Sequence, residues 1–271
     1  MFVGWIRHES FTSDIEELSL SIGIDTNLVT NTINMDQSLS FGAYVDKKLV
    51  GLITAYSFDN SILINSLYYL KENSEEIISR LFKILLTNIQ NDKKTILFMG
   101  NKQEEKILTT LGFKPYANFT KAINSTNTVA FNFSNATSKS ISNENYLPVI
   151  KKLDFDAMQE NRVDYITHTV FKQSSLLLST QFGYQHSYAI DKNVIKLSPW
   201  IMVDEAFTDA EKLIRGVIYH RGLKTIISFI PSDVKEITDL YGSYGFEFKE
   251  KYTLLYLNEE PKINIESIYG F

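Results

Sequence analysis

The chain of 271 residues contains no cysteine. Disulfide staples, thiolate zinc sites and a cysteine nucleophile are thereby excluded together, and an intracellular protein is the simpler expectation. Long apolar runs are missing too: none reaches the roughly 18 residues that a membrane span needs. Met1 to Ser10, with Arg7, His8 and Glu9, also lacks the apolar stretch of a signal peptide. A cytoplasmic protein without a membrane partner is expected. Basic blocks are absent: 27 basic and 32 acidic residues give a net charge of −5. No Lys and Arg cluster could release many counterions from a phosphate backbone, so nucleic acid is not expected as a partner. There is no glycine-rich phosphate loop of the Walker or Rossmann kind and no nucleophile elbow, which disfavours kinases, NAD enzymes and serine hydrolases. The four histidines, His8, His168, His186 and His220, show no i, i+4 pairing, so no metal site is expected.

What is present is the profile of a folded globular protein: 44% hydrophobic, 13% aromatic and 22% charged residues. The length leans towards two modules. An internal repeat supports that count. At an offset of 132 residues, Gly51 to Asp59 aligns with Gly183 to Asp191, Ser61 to Leu70 with Asn193 to Met202, and Leu81 to Leu86 with Leu213 to Ile218. One inserted residue later, Leu111-Gly112-Phe113 meets Tyr244-Gly245-Phe246. A period this long means two copies of a whole domain, not a solenoid. The expected domains are residues 1–135 and 136–271.

Periodicity supplies the order of elements. Residues 41–46 and 48–58 are rich in β-branched and aromatic side chains about Asp46-Lys47-Lys48, which predicts an antiparallel hairpin. Residues 61–70 make a third strand. Ser74 reads as an N-cap before a helix with its apolar face at Ile77, Ile78, Leu81, Phe82, Leu85 and Ile89, ending near Asn91. Residues 95–99 form a buried strand, 103–111 a short helix stopped by Gly112, and 113–122 an outer strand interrupted by Pro115. The second half repeats this with strands at 176–180, 184–190 and 194–203, a helix at 209–220, a strand at 225–230, a helix at 233–243 and a strand at 246–258. Residues 124–145, dense in Asn, Ser and Thr, read as the linker, with only Val129 to Phe133 strand-like.

This order, together with Leu-Gly-Phe at 111–113, Tyr-Gly-Phe at 244–246 and Ser198-Pro199-Trp200 before the second central helix, resembles the Gcn5-related N-acetyltransferase (GNAT) family. The last motif looks like the C-terminal half of bacterial tandem GNAT proteins. The resemblance implies an α/β fold: two tandem GNAT-like domains, each a twisted, mostly antiparallel mixed sheet flanked by helices. It implies acetyl transfer from acetyl-CoA to a small-molecule amine or a peptide, with the pyrophosphate on backbone N–H groups at the start of the central helix. A homodimer stays open.

The loop before the central helix departs from the family pattern, which reads Gln or Arg, two residues, Gly, one residue, then Gly or Ala. Its three marked positions fall on Asn73, Glu76 and Ile78 in the first half and on Glu205, Thr208 and Ala210 in the second, where only Ala210 fits. Side chains at the glycine positions are expected to crowd a cradle of bare backbone, and Glu72, Glu75 and Glu76 to oppose a diphosphate; Glu75 and Glu76 also suit the helix dipole. The implied donor contacts are Leu70, Asn73, Ser74, Asn101 and Ala210, although Asn101 could equally cap the helix that follows. The family's acid, four residues before Gly of Gly-Phe, falls on Leu108 in the first half and on Tyr241 in the second. Tyr241 is therefore the candidate acid and His186 a candidate base, each weighed against ordinary core packing. Two readings follow: an acetyltransferase, or a catalytically degenerate GNAT-fold binding module. A third, aminoacyl transfer from charged tRNA, sits poorly with the acidic balance.

Overall fold

The structure, a computed structural model, describes residues 1–7, 9–89, 93–125 and 143–271, with side chains described from residue 147 onward in the last stretch. His8, Asn91, the strand expected at 129–133 and most of the expected linker lie outside the described residues. The chain divides into two compact units. Unit 1 comprises Met1–Tyr116, His168–Val170 and Leu254–Pro261; unit 2 comprises Ala117–Thr167, Phe171–Thr253 and Lys262–Phe271. Neither is one uninterrupted stretch of chain.

Unit 1 runs β1 (Phe2–Trp5), α1 (Phe11–Ser21), α2 (Thr26–Met35), β2 (Ser40–Val45), β3 (Lys48–Ser57), β4 (Ser61–Tyr69), α3 (Ser74–Asn88), β5 (Thr95–Asn101), α4 (Lys102–Thr110) and the start of β6 (Lys114–Asn124). Strands β1 to β4 pair antiparallel in order, and β4 pairs β5 in parallel. The end of a later strand, Leu254–Leu257, lies beside β5. The β2–β3 turn places Asp46 and Lys47 at φ 48° and 69°, the primed geometry that matches the twist of a two-residue hairpin. One face of the sheet is covered by Ile77, Ile78, Leu81, Phe82 and Leu85 of α3, closed by Phe98, Phe113 and Leu255. On the other face Ile15, Leu18, Val29 and Ile33 of α1 and α2 pack on Tyr44, Leu49 and Leu52. These two helices had no counterpart in the repeat and were not expected; α2 is rich in Thr and Asn, weak helix formers, and depends on that packing and on the Asp25 cap, which accepts from the Leu28 N–H at 3.1 Å.

Unit 2 contains α5 (Asn143–Met158), α6 (Val163–Tyr165), β7 (Leu176–Thr180), β8 (Gly183–Ala189), β9 (Val194–Met202), α7 (Phe207–Arg221), β10 (Thr225–Pro231), α8 (Lys235–Ser243), the start of β11 (Glu247–Leu257) and β12 (Ile268–Gly270). Its strand order is β11-β6-β10-β9-β8-β7, with β12 on β9. A buried ion pair ties α5 to the loop before α6: Arg162 donates to both Asp154 oxygens at 2.9 and 2.7 Å, and Tyr184 Oη donates to Asp154 at 2.7 Å.

The structure corrects the repeat by one residue. Central helices α3 and α7 are both fifteen residues long and begin at Ser74 and Phe207. Third strands β4 and β9 begin at Ser61 and Val194. Both offsets are one more than the 132 read from the sequence, because the β8–β9 turn is longer than the β3–β4 turn. The counterparts of Asn73, Glu76 and Ile78 are thus Ala206, Asp209 and Glu211, not Glu205, Thr208 and Ala210. The Gly-Phe motifs have one physical cause. Gly112 and Gly245 adopt φ 94° and 77° after α4 and α8, and Phe113 and Phe246 each donate a backbone N–H at 3.1 Å, to Leu108 and Tyr241. This is the Schellman helix ending, which glycine accommodates without strain.

Candidate functional site

In each unit two neighbouring parallel strands begin paired and then part. In unit 1, β4 and β5 pair from Ser61↔Thr95 to Ile64↔Phe98. A register shift on the β3 side, opposite Thr54 and Ala55, leaves Asn65 as an extra residue in β4. Such a bulge bends a strand away from its neighbour. Asn65 is held there, accepting from Thr54 Oγ1 and donating to Thr32 Oγ1, both at 2.7 Å. Beyond Ile64, among the described residues, no strand pairs with the β5-facing edge of β4.

The start of α3 lies at the end of β4. Leu70 extends that strand, its N–H on the Val50 carbonyl at 2.9 Å. Asn73, at φ 56°, is the N-cap but makes no side-chain cap bond, and Ser74 is the first helical residue, not the cap as expected. The expected crowding is also corrected at two positions. Ile78 is fully buried in the core below the helix, and Glu76 reaches along the helix to Arg80 at 2.6 Å. Exposed Glu75 is thus the first-turn carboxylate without such a partner. Two side-chain bridges cross the mouth instead: Tyr69 Oη donates to Glu104 Oε1 at 2.9 Å, and Gln103 Nε2 donates to Ser74 Oγ at 3.0 Å. Asn101 is committed as a cap. Its Oδ1 accepts from the N–H groups of Gln103 and Glu104 at 2.9 and 3.1 Å, while Glu104 Oε2 accepts from the Asn101 N–H at 2.7 Å. Burial raises the Glu104 carboxyl above the ordinary carboxylate range, and burial with the nearby Glu104 pushes the Tyr69 phenol up to about 12.

Unit 2 has the same opening, but it is filled. β9 and β10 pair from Val194↔Thr225 to Lys196↔Ile227. The β8–β9 register then shifts around Ser198-Pro199, and β9 continues with β8 on one edge. Its other edge takes β12, antiparallel, with Ile268 opposite Ile201 and Gly270 opposite Trp200. The Phe271 N–H then reaches across to the Phe229 carbonyl of β10 at 2.9 Å. Four residues, 268–271, thus lie between the parted strands.

The second-unit candidates are not brought together. Tyr241 is fully buried against Trp200 and Phe246, and its hydroxyl donates to the Tyr269 carbonyl at 2.7 Å, with Ser228 Oγ at 3.1 Å. Burial raises that phenol well above the ordinary value. His186 lies on β8 with Nδ1 2.7 Å from the Ser198 carbonyl and Nε2 2.7 Å from Ser175 Oγ, stacked on Phe171 and Tyr188. Burial lowers its pKa to about 3, so the imidazole is neutral, donating from Nδ1 and accepting at Nε2. Ala210 is buried in the first turn of α7, facing the core. Sequence reasoning missed the Tyr69–Glu104 bridge and residues 268–271. Tyr69 and Glu104 are 35 positions apart and meet only through the fold; Ile268-Tyr269-Gly270-Phe271 is apolar but too short to stand out as an element.

No family model matches the sequence, and no curated protein matches it. Solved structures do. A candidate acetyltransferase from Pyrococcus horikoshii shares 12% identity over 100% of this chain and 93% of that one, with a TM-score of 0.79. A GCN5-related N-acetyltransferase from Sphaerobacter thermophilus shares 10% over 98% of both chains, TM-score 0.66. A tandem GNAT protein from the clavulanic acid biosynthesis pathway shares 9% over 94% of this chain and 98% of that one, TM-score 0.63. At such identities the likeness establishes the fold, and the fold is that of the GCN5-related N-acetyltransferases. With a central helix, a parting strand pair and a Gly-Phe helix ending in each unit, the chain is a tandem GNAT-fold protein. Among the described residues, no helix is long and apolar enough to cross a membrane, and no group of three or more His, Asp or Glu could hold a metal ion.

Proposed function

We propose that the protein transfers an acetyl group from acetyl-CoA to a small-molecule amine or a peptide, with the donor seated in unit 1. The observation that carries this is the edge of β4 beyond Ile64, which no strand among the described residues occupies and which leads to the first turn of α3. A pantetheine arm carries amides that can pair with such an edge, and a diphosphate suits the helix N-terminus beyond it. Leu70, Asn73 and Ser74 would meet the donor through their backbone. The amine nitrogen attacks the thioester carbonyl; the C–N bond forms, the C–S bond breaks, and the nitrogen's proton passes to the departing thiolate or to water. Leu108 cannot supply that proton. Tyr69, protonated at neutral pH, is a hydroxyl at the mouth of this cleft. In unit 2 Tyr241 could serve only after releasing the Tyr269 carbonyl, while the low basicity of His186 opposes its role as a base.

Calorimetry of the whole chain with acetyl-CoA tests the reading. Saturable binding near one equivalent, with acetylation of an amine panel, is expected. No heat and no thermal shift at millimolar acetyl-CoA would end it and leave the binding-module reading, which the filled cleft of unit 2 and the bridged mouth of unit 1 favour.

A further inference from the structure

A cation without a counter-ion stands in the last turn of α7, at the opposite end of that helix from its first-turn amides. Arg221 is half-buried. Its Nη2 donates to the Ser174 carbonyl at 2.5 Å, which fixes the plane of the guanidinium. Its Nε–H is buried and has no acceptor. Among the described residues no carboxylate pairs with it, and burial, with no acid to oppose it, lowers its pKa.

A second cation belongs to the adjoining turn. Lys172 to Ser175 precede β7 in a tight turn, closed by the Ser175 N–H on the Lys172 carbonyl at 2.9 Å and the Lys172 N–H on Ser175 Oγ at 2.8 Å. The Lys172 ammonium lies over the Tyr188 ring, 4.1 Å from its centroid. Both cations act on one buried group: burial first, then Lys172 and Arg221, hold the His186 pKa down, so the imidazole stays neutral and offers no compensation. The end of α7 supplies roughly half a negative charge. That is too little for two full positive ones.

A guanidinium keeps its proton even when partly buried. Left without a partner it is costly, and the buried N–H without an acceptor adds to the cost. An oxyanion answers both, because two oxygens in one plane match the fork of Nε–H and Nη–H. Ser174 supplies a further donor: its Oγ accepts from the Ala189 N–H at 3.0 Å, which leaves the hydroxyl proton to be given. We propose that Arg221 and the turn 172–175 form an oxyanion site of unit 2, which takes the carboxylate or phosphate group of a small molecule. Arg221 is its bidentate anchor and Lys172 its second charge. The site is separate from the acetyl-CoA reading of unit 1 and does not depend on it.

The test uses the full-length chain, free of acetyl-CoA, with sodium acetate, phosphate and chloride at matched ionic strength and neutral pH. Calorimetry should show saturable binding of acetate or phosphate at one equivalent, with a rising thermal midpoint, and neither effect with chloride. The tighter of the two oxyanions tells a carboxylate ligand from a phosphate ligand. The imidazole resonances of His186 should shift along the same isotherm. Arg221→Lys, which keeps the charge and loses the fork, should weaken binding about tenfold, and Arg221→Gln should abolish it. Lys172→Gln should weaken it roughly two- to fivefold. If the Arg221 variants fail to fold, the salt comparison on the parent and Lys172→Gln decide. No saturable binding of either oxyanion, equal effects of all three salts, or an affinity unchanged in the folded variants overturns the proposal.

Discussion

Tyr241 shows how a residue chosen for chemistry can be held by packing. Its hydroxyl serves the Tyr269 carbonyl in a fully buried setting, so Tyr241→Phe should lower stability by about 1–3 kcal/mol, the cost of stranding a buried acceptor. Urea denaturation measures this, and an unchanged midpoint would show that the bond contributes nothing. His186 predicts a pH dependence. Its folded pKa, about 3, lies below the ordinary 6.5, chiefly from burial and then from Lys172 and Arg221, against the opposing bond to Ser198. The unfolded chain takes up a proton as pH falls through 6.5 while the folded chain does not. Stability is therefore full above 6.5 and falls by up to about 1.4 kcal/mol per pH unit towards pH 3. Thermal melts across that window should show the acid limb, and His186→Gln should flatten it.

At the scale of elements, the first turns of α3 and α4 carry the testable content. Asn101 closes a capping box, and Asn101→Ala should cost about 1 kcal/mol while Asn101→Ser retains most of the stability, read by chemical denaturation. Should Asn101→Ala weaken acetyl-CoA binding without that loss, the residue is a ligand contact and not a cap. The acidic first turn of α3 predicts the opposite sign for binding. Glu75 lies within the reach of the helix dipole, so Glu75→Gln should tighten acetyl-CoA roughly two- to fivefold, from about 0.3–1 kcal/mol per exposed charge. Glu76→Gln should do less, because Arg80 already balances that carboxylate. Calorimetry at low and high salt separates the two, since the gain should shrink as salt rises.

At the scale of the whole molecule, the composition of the units governs what can fold alone. Unit 1 includes Leu254–Pro261, and Leu255 closes its core beside β5. A fragment of residues 1–135 lacks that segment. It leaves apolar core surface and the edge of β5 exposed, a hazard for pairing between chains. Expressed alone, this fragment should aggregate or exchange its amides rapidly, and a peptide spanning residues 247–261 added in trans should slow exchange in β5. A monodisperse, well-protected fragment would show that the last strand is dispensable.

The sequence by itself determined the local elements: the β2–β3 hairpin, the amphipathic central helices and the Gly-Phe endings. Each follows from short-range causes, side-chain period, turn geometry and a left-handed glycine, all present within a few residues. The fold was legible through their order. Only the tertiary structure decided the state of the clefts. Whether β4 and β9 keep a free edge depends on strands drawn from distant parts of the chain, and four residues near position 270 fill one gap while the other stays free of any strand among the described residues. The one-residue slip in the repeat has the same origin, because register across a sheet is set by turn length and cross-strand packing and not by the residues of one strand.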